Sequence, residues 1–290
     1  MGVDHDEARA LAYRCHRATD SLHSLLYFAP EAEERFTAAG LRPGRMGYFA
    51  SRSAPMGAVG PGVVAATFYN FNPEVIARHI PRAWSLAKPE QVLAARADAV
   101  DVVMRRLLGE AVSSPELAEA AELARAATEG CTAEGRPLYA GNAELDWPAE
   151  PHAVLWHAIT LLREFRGDGH IAALVANGLG GLPALVTHVA TGKSFRPVFA
   201  KSLRGWSDEQ WAGAVARLQA EGILEGEALT DRGVELRARI EDQTNAAAVG
   251  PWLVLGAERS ARLAELCREL SRTAIAAGAY PPDLFAAPRV

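Results

Sequence analysis

The chain has 290 residues, 49% hydrophobic and 22% charged, with a net charge of -5. That is a globular profile long enough for two ordinary domains, and its acidic balance gives no electrostatic reason to expect a nucleic-acid or membrane partner. No charge-free apolar run reaches membrane-spanning length, the start of the chain carries Asp4, Asp6 and Glu7 rather than a basic leader, and Cys15, Cys131 and Cys267 form no CxxC pair. A soluble protein of a reducing compartment, the cytoplasm, is the expectation.

In chain order, residues 6–28 have apolar positions at helical spacing and predict a long first helix, which Pro30 stops. A short helix over 31–39 ends at Gly40. Residues 47–85 then lie over 169–207, 122 positions later, without a gap and with 8 of 39 residues identical. The pairs include Gly47/Gly169, Pro61/Pro183, Arg82/Arg204 and Trp84/Trp206. The punctuation agrees too: Asn72 and Ser194 suit helix N-caps, and Pro61 and Pro183 suit helix starts. The spacing predicts an internal duplication, with both tryptophans buried and domains at 1–148 and 149–290.

The second copy reads as a helix over 152–165, a glycine-punctuated turn at Arg166-Gly167-Asp168-Gly169, and a helix over 170–176. Helices over 183–190 and 194–202 follow. Ser207 caps another to residue 220, with Gln210 in the capping-box position. Residues 222–224 and 228–230 predict two short strands around Glu225-Gly226-Glu227, before helices over 231–244 and 258–277. The fold class is therefore mainly α: tandem winged-helix-like repeats with a short β-hairpin wing, although no wing is legible after Leu108 in the first copy.

The stretches GYFASRSAP (47–55), TFYNFNP (67–73), LREFRGDGHIAAL (162–174), RGWSDEQW (204–211) and LTDRGVELRARIEDQT (229–244) carry a resemblance. In them the chain resembles the actinobacterial SalK-like helix-turn-helix family. The last stretch is also similar to the wing and following helix of MarR-type regulators. The resemblance implies a fold and not a demonstrated activity.

Double-stranded DNA is the partner that resemblance invites, yet the residues argue against tight binding. The would-be reading helix opens with Asp208 and Glu209, and the wing tip holds Glu225 and Glu227. Phosphate contacts need Lys or Arg at such places. No HxxxH, HExxH or CxxC spacing points to a metal, no GxGxxG to a dinucleotide, and no GxSxG to a nucleophile. No cofactor follows from the sequence.

Two functions stay open. One is a noncatalytic binder of a small organic, acidic ligand on a regulator-like scaffold. The alternative is an enzyme of small-molecule metabolism with a His/Arg/Tyr-lined site between the repeats. Both use the same candidates: His23 and Tyr27, one helical turn apart; Tyr48 and Arg52; Tyr69 and Asn70; and Asp168 with His170. Arg52 would hold an acid group bidentately. Asp168 would cap the helix opening at His170 and orient that imidazole as a base.

Overall fold

The computed structural model describes residues 3–281, 284 and 285. Its first half runs α1 (His5–Ser24), α2 (Pro30–Ala38), α3 (Arg45–Ser53), α4 (Pro61–Phe68), α5 (Pro73–His79), α6 (Arg82–Leu86), α7 (Pro89–Leu108), α8 (Pro115–Thr128) and α9 (Pro137–Ala143). Then come α10 (Pro151–Ala176), α11 (Gly181–Ala190), α12 (Pro197–Arg204) and α13 (Asp208–Ala220). An antiparallel hairpin of β1 (Leu224–Glu225) and β2 (Ala228–Leu229) leads to α14 (Asp231–Ala246), α15 (Gly250–Leu255) and α16 (Ala257–Ala276).

Local chemistry accounts for most helix starts. Proline, whose missing N–H costs nothing in a first turn, opens α2, α4, α5, α7, α8, α9, α10 and α12. Side-chain oxygens of Asp4, Asn72, Ser114, Ser207 and Thr230 accept first-turn N–H groups of the helices they precede. Ser194 caps nothing: α12 opens after Arg196, without a side-chain cap.

Two main cores organise these helices, with a small cluster of Leu185, Val189 and Ala200 joining α11 to α12. The larger draws on residues from Ala8 to Phe165 and from Ala248 to Ala279, with α1 lying against both α10 and the last helix, α16. The smaller is built from Ala173 to Ile240: the end of α10, then α11, α13, the hairpin and α14. The cores therefore part within α10 and after α14. The reason is that α15 and α16 bury their apolar faces on α1 and α8.

The turn expected at 166–169 does not form, because α10 passes through it unbroken. Gly169 serves packing instead: a Cβ there would lie 2.8 Å from Arg136 Nη1 and 3.1 Å from the Ala247 Cβ. Asp168 consequently caps another helix, accepting the Tyr139 N–H at the start of α9 on Oδ2 at 3.0 Å.

Shifted by 122, α3, α4 and α5 fall on the end of α10, on α11 and on α12, in the same order. The correspondence then ends. α6 has no helical counterpart, since α12 stops at Gly205 in the left-handed conformation (φ 74°). Where the second half has α13 and the hairpin, the first has the 20-residue α7, and no hairpin among its described residues. Among the described residues the hairpin wing is therefore found in the second half alone. Trp84 and Trp206 are half-buried rather than core residues, each donating its indole N–H at 2.9 Å, to Val59 O and Asn70 O respectively. Among the described residues no single helix is long and apolar enough to cross a membrane.

Candidate functional site

Four of the eight expected site residues converge where α1, α3 and α10 meet. His23 is buried, stacked on Trp156 (centroids 5.2 Å apart) and edge-on to Tyr27 at 5.5 Å. Tyr27 in turn meets Tyr48 at 5.0 Å. Arg52 reaches the Tyr48 hydroxyl with Nη1 at 3.0 Å. The helical repeat explains the pairs: Tyr48 and Arg52, like His23 and Tyr27, are four apart and share a face.

Arg52 does hold a carboxylate bidentately, but an internal one. Its Nη2 donates to Glu164 Oε1 and Oε2 at 3.0 and 3.1 Å, and Arg163 Nη1 adds a third bond to Oε1 at 2.7 Å. The Arg52 and Glu164 side chains are 11% and 5% exposed. Burial alone would raise the Glu164 pKa, yet the two guanidiniums outweigh it and hold it at about 2. The Arg52 guanidinium also lies 4.4 Å from the Phe68 ring centroid. The expected role of Arg52, gripping a ligand's acid group, is therefore already taken by Glu164, a mid-helix residue that no local motif marks.

The other four candidates sit elsewhere. Tyr69 donates its hydroxyl to Leu179 O at 2.8 Å and packs on the smaller core. Its backbone has φ 47°, a strained value for a side-chain-bearing residue, and Gly181 is pressed against its carbonyl. Asn70 supplies the carbonyl that receives Trp206. Asp168 caps α9, and burial raises its pKa to about 6. His170 Nδ1 lies 2.8 Å from the Thr244 hydroxyl on α14, with burial and then Arg237 lowering its pKa to about 3. The two are not paired, so no carboxylate orients that imidazole. His23 is likewise held neutral by burial, and neither ring nitrogen has a partner. Among the described residues no group of three or more His, Cys, Asp or Glu side chains is placed to hold a metal ion.

Beside the converging four lies a cavity of about 590 Å³. Its walls include Tyr27 and Tyr48 on one side, Arg163 from α10, and Phe71, Leu203 and Arg204 at the junction with the smaller core. Arg204 sits over Phe71, its Cζ 4.3 Å from the ring centroid. The Tyr48 phenol feels this setting. Burial raises its pKa, but Arg52, Arg204 and Arg163 together bring it below the usual tyrosine value. Sequence reasoning missed Glu164, Arg163 and Arg204. Only the identity Arg82/Arg204 in the 122-residue alignment singled any of them out.

The residues flanking Arg204 tie the cores together. Asn72 donates from its backbone to Arg204 O at 2.9 Å, and from Nδ2 to Gly205 O at 3.0 Å and to Gln210 Oε1 at 3.2 Å. Arg45 Nη2 donates to Ser202 O at 2.5 Å. The N-terminus of α13, the would-be reading helix, is therefore held by the same segment that lines the cavity.

A helix-turn-helix family model matches residues 12–281. The chain belongs to that helix-turn-helix family. Comparison with curated proteins and with solved structures finds no match. In this family member the face a helix-turn-helix would turn to DNA is acidic: Asp208, Glu209, Glu225 and Glu227 are all exposed, and only Asp208 has an ion-pair partner, Lys201, among the described residues.

Proposed function

We propose that this helix-turn-helix family protein binds a small organic ligand of acidic character in the cavity between α1–α3 and α12, and holds duplex DNA weakly or not at all. The observation that carries the reading is the cavity itself. Its volume falls within the range of about 300–1,000 Å³ usual for ligand sites, and its walls combine aromatic rings with a few polar groups, as such sites do. The scaffold we propose is a duplication, supported by the 122-residue alignment and by the three helices that coincide in it. The finer resemblance, to SalK-like proteins and MarR-type regulators, rests on the stretches at 162–174, 204–211 and 229–244. The cytoplasm is the compartment that composition and cysteine usage support. No observation favours the enzyme alternative: both candidate histidines are buried neutral and neither meets a carboxylate.

Thermal melting in the presence of a panel of small organic acids at millimolar concentration tests the ligand claim. At least one acid should raise the melting temperature of the wild type, and Leu203→Trp, which fills the cavity, should remove that shift. No shift with any acid, or an unchanged shift in Leu203→Trp, refutes it. For DNA, a fluorescence-anisotropy titration at physiological salt is expected to show weak binding without sequence preference. Glu225→Lys with Glu227→Lys should strengthen it. Sequence-specific submicromolar binding by the wild type would overturn this part.

A further inference from the structure

Among the described residues the cavity wall holds one part-buried guanidinium with nothing to grip. Among the described residues the Arg204 side chain meets no carboxylate and no hydrogen-bond acceptor, and its Nε is buried outright. Burial makes its charge costly; the Tyr48 phenol offsets part of that cost, and the positive charges of Arg52, Arg163 and Arg45 add to it. A guanidinium does not shed its proton to escape that cost, so an anion alongside is the remedy left.

The other cations are already engaged or face outward. Arg163 gives Nη1 to Glu164 and Nε to Asp20, Arg45 gives Nη2 to Ser202 O, and Arg42 is exposed. One unspent planar fork matches a single carboxylate better than a phosphate dianion. Arg52 holds Glu164 through a single nitrogen, a guanidinium–carboxylate pairing that the protein makes with itself beside Tyr48. Seven Phe and Tyr side chains line the cavity, although aromatic residues are only 7% of the chain. The wall also carries two carboxylates, Asp20, which accepts from Arg163, and Glu33, which accepts the Gly44 N–H. Tyr48 and Phe71 stand side by side next to Arg204, their centroids 5.4 Å apart. The volume of about 590 Å³ has room for fused or linked rings.

We infer that the ligand is a polycyclic aromatic carboxylate, its carboxylate on Arg204 and its rings along the wall of Tyr27, Tyr48 and Phe71. This rests on the cavity being a ligand site. A charge-assisted, bidentate contact of this kind is worth about 1.5–3 kcal/mol, more than tenfold in affinity. The carbonyls of Arg204 and Gly205 are held by Asn72, so an acid seated on Arg204 also steadies the entry to α13.

Titration calorimetry with 2-naphthoate, its neutral isostere 2-naphthalenemethanol, 2-naphthyl phosphate and inorganic phosphate is the test. Naphthoate is expected to bind at least about tenfold tighter than the alcohol. Arg204→Gln should bring naphthoate down to the level of the alcohol and leave the alcohol unchanged. Naphthoate should slow amide exchange over residues 204–210 in the wild type only, and inorganic phosphate should not compete. Should circular dichroism show Arg204→Gln unfolded, Arg204→Lys keeps the charge without the fork, and is expected to weaken naphthoate alone. Equal binding of naphthoate and alcohol, or an unaltered preference in the Arg204 variant, overturns the carboxylate assignment and leaves the cavity reading standing. Tighter binding of the naphthyl phosphate than of naphthoate overturns it likewise, in favour of phosphoesters. Binding of none of the four by the wild type overturns both.

Discussion

Among the described residues Glu164→Gln removes the only carboxylate facing Arg52 and one of two facing Arg163. In the wild type that carboxylate accepts three charge-assisted hydrogen bonds, at 3.0, 3.1 and 2.7 Å, while 5% exposed. The amide keeps the shape and one acceptor oxygen, but its NH₂ now confronts a guanidinium N–H. Breaking a buried pair from one side costs about 3–5 kcal/mol, mostly because a desolvated charge is left uncompensated. Arg163 keeps Asp20 and some contact with solvent, so nearly all of that cost falls on Arg52. Native stabilities run to about 5–15 kcal/mol, so the variant should lose between about a fifth and the whole of its stability. Urea unfolding followed by tryptophan fluorescence measures the loss. Arg52→Met with Glu164→Leu together should cost less than Glu164→Gln alone, since no unpaired charge remains between them. A Glu164→Gln loss below about 1 kcal/mol, the level of an exposed pair, would show that water reaches the cluster and refute the argument.

Acid should unfold the protein early. His23 and His157 are almost fully buried and neutral in the fold, with burial lowering the pKa of His157 to about 4. Below about pH 6.5 the unfolded chain takes up protons that the native state refuses, so stability falls as pH drops, by up to about 1.4 kcal/mol per pH unit for each histidine. Glu164 adds a separate loss as pH falls from about 4.5 towards 2, because its carboxylate is favoured in the fold. Urea midpoints at pH 7.5 and 5.0 check the first window, and a midpoint that does not fall would contradict it. Gly130→Ala should destabilise by about 1–3 kcal/mol, the cost of overpacking. Its Cβ would be driven into the Gly250 carbonyl, where the ends of α8 and α15 touch backbone to backbone. A melting temperature within a degree of the wild type would show that the two backbones have room to part.

Signals confined to a few neighbouring residues were legible before any coordinates. The helix start at Pro61 and the caps at Asn72 and Ser207 follow from the missing N–H of proline and the reach of a short polar side chain. Glu225-Gly226-Glu227 makes its turn because Gly226 supplies the positive φ. The helical repeat likewise placed His23 beside Tyr27 and Tyr48 beside Arg52. The run at 166–169 misled because glycine serves two purposes, turning a chain and letting two chains touch. Which one applies at Gly169 depends on Arg136 and Ala247, distant in sequence.

Charge pairing is long-range in the same way, and it belongs to the tertiary structure. Arg52 finds its acid 112 residues away at Glu164, and Asp168 caps a helix 29 residues earlier. Which guanidinium is satisfied and which is left for a ligand depends on how α3, α10 and α12 pack. Composition and periodicity determined a mainly helical chain, and the resemblance of its stretches implied a helix-turn-helix. Only the packing of its helices decided that Arg52 is spent and Arg204 is free, since both carry the same charge and only distance to a carboxylate separates them.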